Sequence, residues 1–79
     1  MENTVNKLDF YDLYEMGYVW FNSQDVIDRL GNKGVRYTLE KRLTDQQKQE
    51  LLQYDNVRIN TCSYKYDCNI VYDTIILLD

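Results

Sequence analysis

Residues 34–43, GVRYTLEKRL, decide the fold, because their pattern fits two different structures. Val35, Tyr37 and Leu39 alternate along the chain, as the inward-facing side chains of a strand do. Leu39 and Leu43 stand four residues apart, which is the spacing of neighbours on one face of a helix. Periodicity therefore leaves this segment open between a strand and a helix.

The segment just before it, residues 23–31, predicts a helix. Ser23 is a favourable N-cap, and Gly31 can take the left-handed conformation that ends a helix. Two acidic residues suit the positive N-terminal end of a helix, Asp25 and Asp28. One apolar face follows from the 3.6-residue period, made of Val26, Ile27 and Leu30.

The segment just after it, residues 44–53, also predicts a helix. Thr44 and Gln47 have the spacing of a capping box, in which each side chain binds the other residue's main-chain N–H. Leu51 and Leu52 supply apolar contacts. Two to three helical turns are therefore expected here.

The last third of the chain predicts a β-hairpin with strands over about 57–65 and 70–78. The residues YDCN between them are typical of a turn. A turn centred on Asp67 and Cys68 pairs the strands in one register, in which Val57 faces Leu78, Ile59 faces Ile76 and Thr61 faces Thr74.

Near the N-terminus, Gly17 separates two aromatic-rich segments, which favours a short hairpin there. The alternative is a helix over residues 4–16 with Thr4 as its cap. A chain of 79 residues corresponds to one small domain, 1–79. The sequence therefore predicts a small α+β domain with an N-terminal hairpin or helix.

The two cysteines, Cys62 and Cys68, are expected to be structural residues. In the predicted register an extended chain places them roughly 20 Å apart, beyond the ~4.4–6.8 Å between the Cα atoms of a disulfide. A metal site needs about four ligands, and the chain has no histidine to add to these two. No metal or other cofactor is therefore predicted.

An enzyme is not expected from this composition. The absence of histidine removes the commonest general base, and the spaced carboxylates Asp9 and Asp12 are better explained as surface charges. No apolar run approaches the ~20 residues of a membrane span. The first residues, MENTVNKLDFYD, lack the apolar segment of a signal peptide. A cytoplasmic protein with no membrane partner is expected.

Charge is uneven along a chain whose formal net charge is −4. Residues 1–28 hold six carboxylates and one lysine, a net charge of −5, and residues 51–79 hold four carboxylates and two basic residues, a net charge of −2. Residues 29–50 hold six basic residues and three carboxylates, a net charge of +3. Local charge indicates partners, so the middle segment is a candidate phosphate-binding region. A solvated helix face is the plain alternative.

Residues 20–48 carry a family resemblance. They resemble the core of the Bro-N domain, found at the N-terminus of many phage antirepressors, at Trp20, Phe21, Asp25, Val26, Leu30, Gly31, Arg36, Leu39, Leu43 and Lys48. The resemblance implies a phage origin, nucleic-acid binding, a hairpin carrying Trp20 and Phe21, and two helices, ending at Gly31 and spanning about 34–43. It therefore favours a helix for the segment that periodicity leaves open.

The first functional hypothesis is a DNA-binding regulator. Two helices joined through Gly31 would form a helix-turn-helix, whose second helix can enter a major groove. Phosphates and bases would be bound by four basic residues, Lys33, Arg36, Lys41 and Arg42. So few basic residues give modest affinity unless the protein forms a dimer.

The second hypothesis is a stoichiometric inhibitor of a host defence protein such as a nuclease. Small, acidic, tyrosine-rich chains are similar in general character to phage anti-CRISPR and anti-restriction proteins. Carboxylates can replace phosphates in a basic groove, and tyrosines can anchor an interface. The residues expected to do so are Asp9, Asp12, Glu15, Asp25, Asp28, Tyr64 and Tyr66.

Overall fold

The computed structural model describes residues 6–79, in which two short helices pack on one face of a four-stranded antiparallel sheet. The elements in chain order are α1 (Phe10–Glu15), β1 (Trp20–Ile27), β2 (Lys33–Leu39), α2 (Asp45–Leu51), β3 (Val57–Ser63) and β4 (Val71–Leu78). The strands lie side by side in the order β1-β2-β4-β3. The predicted α+β fold class is confirmed.

β1 and β2 form a β-hairpin, so the helices predicted over 23–31 and 34–43 are wrong. The two strands pair from Ile27 opposite Lys33 to Ser23 opposite Tyr37. GVRYTLEKRL follows its strand alternation because a strand places Tyr37 in the core. β1 then pairs with β2 and completes the sheet. Tertiary pairing of this kind overrides a helical propensity that is worth only tenths of a kcal/mol per residue.

The turn between β1 and β2 uses the same residues that suggest a helix stop. Asp28 Oδ1 accepts hydrogen bonds from the main-chain N–H groups of Leu30 (2.9 Å) and Asn32 (2.8 Å). The hydrogen bonds that Asn32 donates, joined by that of Leu30, hold the pKa of Asp28 below its ordinary value. Gly31 has a φ of 85°, which favours glycine. An acidic residue followed by glycine fits a helix end and a hairpin turn equally well.

α1 occupies the place of the hairpin predicted around Gly17, so the alternative of a helix is the closer prediction. Asp9 and Asp12 form a capping box, with the Asp12 N–H donating to Asp9 Oδ1 at 3.0 Å and the Asp9 N–H donating to Asp12 Oδ2 at 3.1 Å. Leu13 fixes the helix to the core, since none of its surface is exposed. The proposed cap Thr4 lies outside the described residues.

α2 confirms the helix predicted over 44–53, with shorter bounds. The capping box is present: Thr44 Oγ1 accepts from the Gln47 N–H at 3.1 Å, and Gln47 Oε1 accepts from the Thr44 N–H at 2.9 Å. Leu51 is buried as predicted, whereas Leu52 lies just beyond the helix and is exposed.

The predicted C-terminal hairpin is confirmed as β3 and β4, but its register is shifted by one residue. Val57 lies opposite Leu77 and Ile59 lies opposite Ile75. The prediction paired β3 with the residues one step further along the chain, Leu78, Ile76 and Thr74. The hairpin is centred on Asp67, whose Oδ1 accepts from the Asn69 N–H at 3.0 Å.

This one-residue shift exchanges the two faces of β4. Ile75 and Leu77 enter the core, while Ile76 turns to the opposite face. The sequence TIILL is apolar on both faces, so alternation alone does not choose the register. The choice fits Asp73, which lies opposite Thr61 and accepts a hydrogen bond from its hydroxyl group at 2.7 Å.

The hydrophobic core lies between the two helices and one face of the sheet. Its buried members are Leu8, Leu13, Tyr37, Leu39, Leu43, Leu51, Val57, Ile75 and Leu77. The side chain of Asn56 ties the chain before α1 to this unit, accepting from the Leu8 N–H and donating to the Leu8 carbonyl, each at 2.8 Å. It also donates to the Leu78 carbonyl at 3.1 Å. Both helices therefore pack on the same face of the sheet, and the opposite face is open to solvent or to a partner.

Candidate functional site

Among residues 6–79, no helix packs on the second face of the sheet, which we call the open face. Side chains alternate between the two faces of a strand, so the strand pairings identify its residues. They are Asn22, Gln24 and Val26 of β1, Gly34, Arg36 and Thr38 of β2, Arg58, Asn60 and Cys62 of β3, and Tyr72, Thr74, Ile76 and Leu78 of β4.

Two rows of side chains cross the open face from edge to edge. The first row is polar throughout and runs Asn22, Thr38, Thr74, Asn60. The second row holds both arginines and runs Gln24, Arg36, Ile76, Arg58. Each guanidinium group is held in place, that of Arg36 by Gln24 Oε1 and that of Arg58 by the Asp55 and Val57 carbonyls at 3.0 and 2.9 Å.

A groove of about 430 Å³, which we call the aromatic groove, lies where the open face meets the β3–β4 loop. Its apolar walls include Phe21, Tyr64, Ile70 and Tyr72. Its polar lining comes from Asn22, Arg36, Thr38 and Glu40. Flat aromatic rings beside hydrogen-bonding groups suit a flat ligand whose edge carries donors and acceptors.

Phe21 reaches the groove through a local irregularity of β1. The pairing of β1 with β2 shifts between Trp20 and Asn22, which is the mark of a β-bulge. Trp20 stays on the core side, edge-on to Tyr37 with 4.9 Å between the ring centroids. The Phe21 side chain is consequently 67% exposed at the rim of the groove.

The strand carboxylates all lie on one side of the sheet. The strands described here carry two carboxylates, Asp25 and Asp73, and both belong to the helix-side face. Arg36 and Arg58 both belong to the open face. An acidic chain therefore presents a sheet surface whose own strands contribute only positive charge.

The four predicted nucleic-acid-binding residues do not form one surface. Lys33 and Arg36 lie three residues apart on β2 and so point to opposite faces. Lys41 and Arg42 follow the end of β2 rather than lying on a recognition helix. The predicted helix-turn-helix is wrong, and only Arg36 of the four belongs to the open face.

Arg42 has a structural role through Asp73. Its Nε donates to Asp73 Oδ2 at 2.9 Å, and the Leu43 N–H donates to the same oxygen at 2.8 Å. Burial raises the pKa of the Asp73 carboxyl, but hydrogen bonds from Thr61, Leu43 and Arg42 outweigh it and leave the pKa below its ordinary value. Asp73 is fully buried and charged, so the Arg42 guanidinium group is needed to balance its charge inside the fold.

The predicted acidic and tyrosine set is dispersed over the molecule. Asp9 and Asp12 cap α1, Glu15 ends it, and Asp28 closes the β1–β2 turn. Asp25 lies on the helix-side face of β1. Tyr64 and Tyr66 lie in the β3–β4 loop, at the end of the sheet opposite Asp28, with 5.7 Å between their ring centroids. The set does not make a single acidic, tyrosine-rich face.

Sequence reasoning missed most of the aromatic groove. Tyr72 follows strand alternation once the register of β4 is known, whereas Phe21 reaches the groove through the bulge in β1, which carries no signal of its own in the sequence. Glu40 comes directly after β2, and its N–H donates to the Val19 carbonyl at 3.0 Å, which fixes its backbone beside β1. The available signal was the spacing of Arg36, Thr38 and Glu40, which share one face of a strand.

Cys62 and Cys68 are both free thiols. Cys62 lies on the open face opposite Tyr72 and is half-buried, whereas Cys68 is exposed in the β3–β4 loop. Within residues 6–79 there is no group of three potential metal ligands. Neither α1 nor α2 has the length and apolar character needed to cross a bilayer.

Comparisons of the chain with protein-family models, with curated proteins and with solved structures found no match. The resemblance of residues 20–48 to a Bro-N domain therefore stays a prediction. The strands found at 20–27 and 33–39 differ from the two helices that this resemblance implies.

Proposed function

We propose that the protein is a non-enzymatic, regulatory nucleic-acid-binding protein that takes single-stranded nucleic acid on its open face. One observation carries the proposal: the aromatic groove and both strand arginines share the face from which the strand carboxylates are absent. Aromatic rings accept stacked bases, and guanidinium groups bind phosphates.

The shape of the face favours a single strand over a duplex. Duplex bases are read in the major groove by a protruding helix or a two-stranded ribbon, and the open face presents a row of short polar side chains across four strands. A single strand can instead splay its bases onto aromatic rings that project from a sheet. The exposed rings that line the aromatic groove, Phe21 and Tyr64, are placed for that role.

The balance of forces points to stacking as the main source of affinity. Two arginine–phosphate contacts give a salt dependence of only about 1.4 in the logarithmic slope, at about 0.7 for each contact with a single strand. Each base stacked on an aromatic side chain adds about 1–3 kcal/mol. The net charge of −4 opposes binding, which leaves stacking to supply most of the affinity. The arginine–phosphate contacts weaken as salt is added, so binding is best measured at low ionic strength.

The test is fluorescence anisotropy of a labelled single-stranded 12-nucleotide oligomer at low salt, with Tyr64→Ala compared with Tyr14→Ala. Both tyrosines are substantially exposed, at 47% and 73%, but Tyr64 lines the aromatic groove whereas Tyr14 belongs to α1, on the helix side of the sheet. Tyr64→Ala is expected to weaken binding about tenfold through the loss of one stacking contact. Tyr14→Ala is expected to leave affinity within about twofold of wild type.

An unlabelled duplex of the same sequence serves as competitor. We expect it to displace the labelled strand poorly. Equal competition by the duplex contradicts single-strand binding, and equal losses in the two tyrosine variants contradict the open face as its location. No measurable binding of any oligomer contradicts the proposal as a whole.

A second candidate is the inhibitor of a host nuclease, and the surface of α1 favours it. α1 exposes Tyr11 and Tyr14 beside the carboxylate of Glu15, which is a combination of aromatic anchors and negative charge suited to a basic groove. If the chain blocks cleavage by a host nuclease through this surface, Y11A/Y14A/E15K should lose the block and Arg36→Ala should keep it. The reverse result would assign any inhibition to the open face.

A further inference from the structure

Glu40 is the acidic group of the aromatic groove. It follows β2 directly, is exposed, and lines the groove beside Asn22 and Thr38. Among residues 6–79 its carboxylate has neither a hydrogen-bond partner nor an ion-pair partner. Arg36 lies in the same groove, yet its guanidinium group is bound by Gln24 rather than by Glu40. A carboxylate placed among aromatic rings is therefore free to bind a ligand.

The chemistry of a carboxylate selects among the bases. An ionised carboxylate only accepts hydrogen bonds, and its two oxygens can take two adjacent donors at once. Guanine presents two adjacent donors, N1–H and N2–H, on its Watson–Crick edge. Adenine and cytosine each present an acceptor nitrogen beside their amino group, which faces a carboxylate oxygen unfavourably. Uracil and thymine offer a single N–H between two carbonyl groups.

Building on the proposed function, we infer that the aromatic groove takes a guanine base of the bound strand, with the Glu40 carboxylate accepting from its N1–H and N2–H groups. Tyr64 and Phe21 flank the groove and supply aromatic surface for the base to stack on. Arg36 lies four residues from Glu40 along the same face, roughly 13 Å of extended chain, where a phosphate of the same strand binds.

The experiment compares four labelled strands that are otherwise all thymine, eight nucleotides long, with guanine, inosine, adenine or cytosine at one central position. Wild type is expected to bind the guanine strand about tenfold more tightly than the adenine strand. Inosine lacks the N2 amino group and should fall between them. The same four sequences with ribose distinguish RNA from DNA as the source of the base.

Glu40→Gln is the test variant, and Glu15→Gln, which removes the same charge from α1, is its matched control. Glu40→Gln should reduce the preference for guanine to about twofold or less while still binding the strands, and Glu15→Gln should keep the tenfold preference. Equal binding of all four strands by wild type overturns the inference and leaves the proposed function standing. A preference that survives in Glu40→Gln overturns the role of Glu40, and failure to bind any strand overturns the proposed function itself.

Discussion

Asp73→Asn is expected to remove a large part of the free energy of unfolding at pH 7. The carboxylate is fully buried and accepts three hydrogen bonds, from Arg42 Nε at 2.9 Å, the Leu43 N–H at 2.8 Å and the Thr61 hydroxyl at 2.7 Å. An asparagine keeps one acceptor oxygen and turns an NH₂ group towards at least one donor. It also leaves the partner guanidinium without its counter-charge.

The magnitude follows from the cost of unpairing buried charge. Removing one partner from a buried ion pair costs about 3–5 kcal/mol, and a hydrogen bond to a charged group contributes about 1.5–3 kcal/mol. Arg42 is half exposed, so water partly replaces the carboxylate as its hydrogen-bond partner. We therefore expect Asp73→Asn to lower the free energy of unfolding by about 3 kcal/mol. A 79-residue domain has a total of roughly 4–12 kcal/mol, at about 0.05–0.15 kcal/mol per residue.

The loss of unfolding free energy caused by Asp73→Asn must depend on pH. The pKa of Asp73 is lower in the folded chain than its ordinary value in the unfolded chain. The unfolded state therefore takes up the proton first as the pH falls, and the stabilisation present above pH 4 is lost as the pH falls through the folded pKa. The difference between wild type and Asp73→Asn should narrow from pH 7 to pH 3.

The assay is urea unfolding at both pH values, followed by the fluorescence of Trp20, the single tryptophan. Trp20 packs against Tyr37 and reports on the core. Asp25→Asn is the control, because it removes one exposed carboxylate from the same face of the sheet, and it should change the unfolding free energy by less than about 0.5 kcal/mol. Equal stability of Asp73→Asn and wild type at pH 7, or a pH-independent difference, would refute the reasoning.

Three further substitutions test the packing that supports the open face. Gly34→Ala places a Cβ 2.6 Å from the Leu77 carbonyl oxygen, which should push β2 from β4 and cost about 1–3 kcal/mol in urea unfolding. Asn56→Ala removes its hydrogen bonds to the main chain of Leu8, which should speed amide hydrogen exchange at Leu8 more than at the centre of the sheet. Thr44→Ala removes the cap of α2 and should cost about 1 kcal/mol, with unchanged oligomer binding.

Features that depend on local chemistry were predictable from the sequence. The capping box of α2 needs only Thr44 and Gln47 three residues apart, and the structure forms it. The C-terminal hairpin needs two apolar strands and a polar turn, and it lies at the expected position. These elements carry their own signals, so no distant contact is required to identify them.

Features that depend on distant contacts were not predictable. Asp28 and Gly31 satisfy a helix end and a hairpin turn equally, and only pairing with β2 decides between them. The register of β4 depends on the burial of Asp73 by Arg42 and Thr61, which are 31 and 12 residues away in sequence. The aromatic groove was not predictable for the same two reasons, because locating it requires knowing which residues of β1 and β4 lie on the open face.

The most direct test of nucleic-acid binding on the open face compares Arg36→Ala with Lys33→Ala. The two residues lie on the same strand, carry the same charge and belong to opposite faces, so the substitutions change net charge equally. For a labelled single-stranded 12-nucleotide oligomer at low salt, Arg36→Ala should raise the dissociation constant about tenfold, as expected for a lost hydrogen bond to a charged group. Lys33→Ala should change it less than twofold, and equal effects of the two substitutions would contradict binding on the open face.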